Sequence, residues 1–91
     1  MRGYCELCKR YGETEIHHIF GGAYRKKSEK YGAVIRLCRA CHNEPPNGVH
    51  FNKKKMDSLR AETQARIMKE NGWDVDDFRR EFGKNYLDIK E

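Results

Sequence analysis

Apolar positions change their period once along this chain. Before residue 43 they come in two short runs rich in β-branched residues, "ETEIHHIF" and "GAVIRLC", which predict strands over residues 14–19 and 33–37. "NEPPNG" at 43–48 then interrupts the pattern, because two prolines followed by Asn-Gly predict a turn or loop and exclude a continuous helix. Beyond it, Met56, Leu59, Thr63 and Ile67 recur at helical spacing, with Gly72 after Asn71 as a stop signal. A shorter helix is expected next, with Asp74 as N-cap and the acidic Asp76 and Asp77 in its first turn. Val75, Phe78 and Phe82 form its stripe, and Gly83 closes it. These stripes, with Trp73, read as core rather than as a ligand pocket. The fold class expected is α+β, a single domain over 1–91 in which residues 1–54 form the core and 55–91 a helical extension.

The first apolar run raises a chemical question, since it carries His17 and His18 side by side. Neighbours on a regular strand face opposite sides, so one ring buried and satisfied by the backbone is the plain account. The other account has both rings converge on one metal and one substrate.

Ninety-one residues with 37% hydrophobic positions and a mean hydropathy of −1.02 can bury only a modest core. A chain of this kind needs a staple, and four cysteines can supply one, either as two disulfides in an oxidising compartment or as a metal site in a reducing one. No apolar stretch has the length of a signal-sequence core or a membrane span, so the expectation is a cytoplasmic protein, with no membrane partner and with reduced thiols. Charge is uneven: residues 1–56 hold 12 Lys/Arg against 5 Asp/Glu, and residues 57–91 hold 7 against 9. A basic first half suits a polyanion such as nucleic acid.

"CELC" at 5–8 and "CRAC" at 38–41 are two Cys-x-x-Cys pairs separated by 29 residues. Each pair can aim two thiolates at one ion, and together Cys5, Cys8, Cys38 and Cys41 complete a tetrahedral four-sulfur zinc site. Such a site is closed, so its role is structural. It ties the base of everything between the pairs, with "EIHHIF" on one limb and "GAVIRLC" on the other. His42 follows Cys41 directly and His50 follows the proline turn, so all four histidines lie at or between landmarks that the zinc gathers.

The series C-x-x-C, HHI, L-C-x-x-C-H and a further histidine resembles the zinc-stapled branch of the HNH endonucleases, the ββα-metal nucleases. The similarity covers Cys5 to about His50, and "GGAYRKKSEKYG" and "FGKNYL" are also similar to small HNH proteins of bacteriophages and prophages. The resemblance implies a ββα-metal core and metal-dependent hydrolysis of DNA. It implies His18 as general base, and His17, His42 and His50 as ligands of a catalytic divalent cation, with Asn43 and Asn47 competing for the place of His50. The two rings would reach one phosphate through a bend at the strand's end. The chain departs from the family where a bracing asparagine is usual, since Gly32 or Ala33 stands there.

These residue types suit the chemistry. A neutral imidazole accepts water's proton near neutral pH. A cation held by imidazoles polarises the phosphate and stabilises the departing 3′ oxygen, and nitrogen ligands suit Mn2+, Ni2+, Co2+ or Zn2+ better than Mg2+. Residues 20–33 are expected to form a basic loop in which Arg25, Lys26, Lys27 and Lys30 grip phosphates. Arg36, Arg39, Lys53, Lys54 and Lys55 would extend the track. The alternatives are a non-catalytic zinc-stapled nucleic-acid-binding module, which the missing asparagine favours, and an interaction protein whose acidic helices dock a phage component.

Overall fold

The computed structural model describes residues 1–87. The chain opens on a hairpin that the apolar pattern does not announce. Arg2–Tyr4 (β1) pairs antiparallel with Tyr11–Glu13 (β2), Gly3 lying opposite Gly12. Its strands are short and mostly exposed, so their order comes from the turn that the first cysteine pair makes. Lys9 takes the left-handed backbone (φ 68°), and its N–H donates to the Cys5 carbonyl at 2.9 Å. The Cys8 N–H points back at Cys5 Sγ, 3.4 Å away. A hydrogen bond from Glu6 N–H to the Arg36 carbonyl at 2.9 Å fastens this turn to the second hairpin.

That second hairpin falls inside the two predicted runs. Glu15–His18 (β3) and Val34–Leu37 (β4) pair antiparallel, with His17 opposite Ile35 and His18 opposite Val34. Strand alternation then separates the two imidazoles: His17 is buried and His18 only partly so.

Between these strands the expected loop is folded. A 3₁₀ turn at Gly22–Tyr24 runs into the helix Arg25–Lys30 (α1). "RKKSEK" has no apolar stripe, and the only side chain α1 buries is Ser28. The hydroxyl of Ser28 donates to the Phe20 carbonyl at 2.7 Å and accepts from the Phe20 N–H at 3.1 Å. One buried polar residue thus satisfies two backbone groups of the limb that follows the histidines.

After β4, Cys38 leads into Arg39–Asn43 (α2), which carries Cys41 and His42. The proline turn follows, and the 3₁₀ turn Val49–Phe51 brings the chain back. Gly48 makes that return possible, because a Cβ there would sit 2.7 Å from the Glu44 nitrogen and 2.9 Å from that of Asn43.

Lys53–Asn71 (α3) starts where Asn52 accepts from the Lys55 N–H at 3.1 Å, two residues before the expected boundary, and ends at Gly72 in the left-handed conformation (φ 65°). Val75–Phe82 (α4) has the predicted cap, with Asp74 and Asp77 each accepting the other's backbone N–H, and closes at Gly83. The last four residues of the expected extension lie outside the described ones.

The main core joins the two parts of the chain: Ile19, Phe20 and Ala33 from the hairpin limbs meet Ile67, Phe78 and Phe82 from the helices. The rings of Phe20 and Phe78 each lie 4.7 Å from that of Phe82. Burial of each such ring contributes ~1.5–3 kcal/mol. A smaller cluster of Cys5, Leu37 and Val49 lies beneath the cysteines. The fold is therefore a small α+β arrangement of two antiparallel hairpins and helices around a four-cysteine group.

Candidate metal centres

The β1–β2 turn presents Cys5 and Cys8, and the end of β4 with the first turn of α2 presents Cys38 and Cys41. Their four sulfurs lie within 4.8 Å of one another, and Cys8 Sγ is 3.7 Å from Cys38 Sγ. Sulfurs placed tetrahedrally at ~2.3 Å from zinc would be about 3.8 Å apart, so the spacing fits. The electrostatics fit as well. Burial alone would raise the Cys5 thiol, but the backbone N–H groups of Cys8, Cys38 and Leu7 outweigh it and bring the thiol to about 6. Burial and the neighbouring thiols of Cys38 and Cys5 push Cys41 up to about 12. One sulfur ionises readily and its neighbour then cannot, which is the situation a divalent cation relieves.

A second group begins at the next residue of α2, His42. His17 from β3, His42 from α2 and His50 from the 3₁₀ turn bring their ring nitrogens within 4.8 Å of one another. The Nε2 atoms of His42 and His50 are 3.1 Å apart, and the His17 ring centroid is 5.2 and 5.1 Å from theirs. His17 is 2% exposed, and its Nε2 is the one buried side-chain nitrogen or oxygen without a hydrogen-bond partner among the described residues. Protonation does not cure this. Burial first, then the charges of His42, His50 and Arg60, hold the His17 ring down to about 4. His50 is held below the usual imidazole range by burial, His42 and Arg60. A buried, bare nitrogen facing two more imidazoles fits a divalent cation. Nitrogens at ~2.0–2.1 Å in tetrahedral positions would be about 3.3 Å apart, and three protein ligands leave a coordination position open.

Carboxylates that the sequence did not single out fix two of these rings. Glu15 Oε1 accepts from His42 Nδ1 at 2.7 Å, which leaves Nε2 bare toward the cluster. Glu29 Oε2 on α1 accepts from His18 Nε2 at 2.8 Å, and that bond holds the Glu29 carboxyl below the usual carboxylate range. Glu15 was within reach of sequence reasoning, because it shares a strand face with His17 two residues on. Glu29 was not, since α1 itself carried no signal.

The bend expected at the strand's end is absent, and β3 stays paired through His18. His17 and His18 nonetheless line one hollow of about 250 Å³ together with Ile16, Gly21, Arg25, His42 and His50. Neither Asn43 nor Asn47 lines this hollow. Of the expected phosphate-gripping residues, Arg25 alone lines this hollow. Lys27 is tied to α4, donating to the Glu81 carbonyl at 2.9 Å. Lys26 and Lys30 are exposed on α1. Arg36 lines a separate hollow with Tyr4 and Glu6, and Arg39 lies 3.8 Å from the Glu44 carboxylate. In place of a bracing asparagine, Arg66 of α3 donates to the Gly32 carbonyl at 2.9 Å.

No helix among the described residues is long and apolar enough to cross a membrane. Comparisons with protein-family models, with curated proteins and with solved structures return no match.

Proposed function

We propose that the chain is a divalent-cation-dependent phosphodiesterase, and specifically an HNH-type endonuclease that hydrolyses DNA on a ββα-metal core. The observation that carries this is the orphaned, buried Nε2 of His17 facing His42 and His50, with His18 on the rim of the same hollow. A chain selected for stability alone gains nothing from three imidazoles that repel protons from one another. The order β3, β4, α2, with one ligand on the first strand and another on the helix, is the order a ββα-metal core requires.

His17, His42 and His50 would hold the cation, whose chemistry is to polarise the scissile phosphate and stabilise the 3′ oxygen as it leaves. Because an ionised carboxylate can only accept, Glu29 keeps the proton of His18 on Nε2. Nδ1 of His18 is then the atom that takes a proton from the attacking water, and Glu29 steadies the imidazolium that results. Arg25, beside both histidines, meets the phosphate's negative charge. Four cysteines with zinc hold α2, and so His42, in place. The Arg66 tie to Gly32 supports this reading over a non-catalytic module, since it braces the limb between the strands from α3.

The test is nicking of supercoiled plasmid by purified protein with Mn2+, Ni2+, Co2+, Zn2+ and Mg2+ in turn. The parent should cleave, and His18→Ala should lose roughly two to four orders of magnitude in rate while keeping fold and zinc. Equal cleavage by both removes His18 as base. No cleavage by the parent under any metal leaves the binding module as the better account.

A further inference from the structure

Beside the histidine hollow runs a second groove of about 440 Å³, within the ~300–1,000 Å³ typical of ligand pockets. The two share His50. The floor and walls of the groove come from the 3₁₀ turn, the first half of α3 and the segment after α4, and its charged groups are Lys53, Asp57, Arg60 and Lys84. Asp57 is spent on Lys53, 2.7 Å away. Arg60 donates to the Ile19 carbonyl at 3.1 Å, and its guanidinium lies over one side of the Tyr86 ring at 5.5 Å or less from the centroid, as does the Lys84 ammonium. Neither Arg60 nor Lys84 has a carboxylate partner among the described residues, so the groove keeps a positive surplus.

Phe51 stands at its edge. The other three phenylalanines are buried in the main core, whereas Phe51 is 58% exposed, directly after His50. An exposed aromatic ring beside unpaired cations is the combination that binds a nucleotide outside a duplex: the cations meet the phosphate, and the ring offers a stacking face to an unpaired base. Resting on the endonuclease reading, we propose that this groove is a nucleotide subsite next to the scissile position. It takes one flanking nucleotide with its phosphate toward Lys84 and Arg60 and its unpaired base stacked on Phe51. The favoured substrate is then single-stranded or locally unpaired nucleic acid.

The experiment uses the full chain with one equivalent of zinc, enough for the cysteines alone, and no other divalent ion, so that binding is read without cleavage. The probes are a short single-stranded oligonucleotide containing 2-aminopurine and its fully paired duplex. Phe51→Ala should weaken single-strand binding roughly five- to a hundredfold and abolish the 2-aminopurine quenching, while leaving duplex affinity within about twofold. Phe51→Tyr should restore both signals. Lys84→Ala should reduce the slope of log affinity against log salt by ~0.7 for the single strand. An unchanged single-strand affinity in Phe51→Ala, or equal losses on single strand and duplex, overturns the subsite and points to Phe51 as a protein contact. Plasmid nicking separates this outcome from the parent reading. Cleavage without any Phe51 effect sinks the groove and keeps the nuclease. Phe51-dependent binding without cleavage sinks the nuclease and keeps the groove as a binding site.

Discussion

Replacing His17 by leucine should stabilise the protein when no second cation is present, and the gain should grow as pH falls. The parent buries an imidazole whose Nε2 has no partner among the described residues, a defect that costs ~1–3 kcal/mol. Leucine removes it at similar volume. The pH dependence follows from the ring being held down to about 4, against ~6.5 for a free imidazole. Above pH ~6.5 both folded and unfolded chains keep His17 neutral, and its titration takes nothing from stability. Between ~6.5 and about 4 the unfolded chain binds a proton that the folded chain refuses, so the parent loses stability with acidification. Over the interval from pH ~7 to ~5 the loss is about 2 kcal/mol, and His17→Leu escapes it. Urea unfolding followed through the single Trp73, with one equivalent of zinc and no other divalent ion, reads the difference directly. Adding Mn2+ or Ni2+ should reverse the order, since a ligand at about a hundred times its Kd stabilises the parent alone by ~2.7 kcal/mol. Parallel pH profiles for the two proteins, or a parent more stable than the variant without added metal, would refute the assignment of a bare, buried nitrogen.

The remaining predictions concern other parts of the same sites. The purified chain should carry one zinc, and Cys41→Ser should lose it together with the helical circular dichroism of a folded chain, because structural zinc contributes directly to folding. Glu15→Ala should weaken binding of a divalent cation at the histidines by about 10–100-fold in titration calorimetry, with the cysteine zinc retained; unchanged affinity would mean that Glu15 does not orient His42. Arg25→Ala should lower the salt dependence of duplex DNA binding by ~0.9 in the log–log slope, and Lys27→Ala should not, because Lys27 is already engaged by Glu81.

The parts of this fold that could be read from sequence are those that local chemistry decides. Asp74, Asp77 and Gly83 mark the ends of α4 by capping and by a left-handed residue, so its bounds follow from residue identity alone. The cysteine frame was equally plain, since the spacing within each pair is itself the geometry of a knuckle. By contrast, α1 depends on Ser28 reaching Phe20 across eight positions, and β1–β2 on a turn held by the Cys5 sulfur and carbonyl and by the tie from Glu6 to Arg36. Gln64 belongs to the same kind: polar, yet fully buried, it donates to Asn85 at 2.8 Å and accepts from the Tyr86 N–H at 2.7 Å, fixing the segment after α4. Periodicity registers apolar burial and is blind to buried polar ties. The histidine site was half legible for this reason: its imidazoles stood in the sequence and Glu15 lay on the same strand face as His17, but the Glu29 carboxylate that aims His18 emerges only when β3 and α1 are assembled.

The five residues of α2 are too few to hold themselves as a helix, and they carry Cys41 and His42 as neighbours. Metal loading should therefore be ordered. Until the cysteines have closed around their ion, the Glu15 contact alone has to hold His42 and its short helix, and the histidines offer an incoming cation two firm ligands instead of three. A newly made chain that meets a second divalent cation before zinc gains little from it, so occupancy of the three histidines would track zinc supply first.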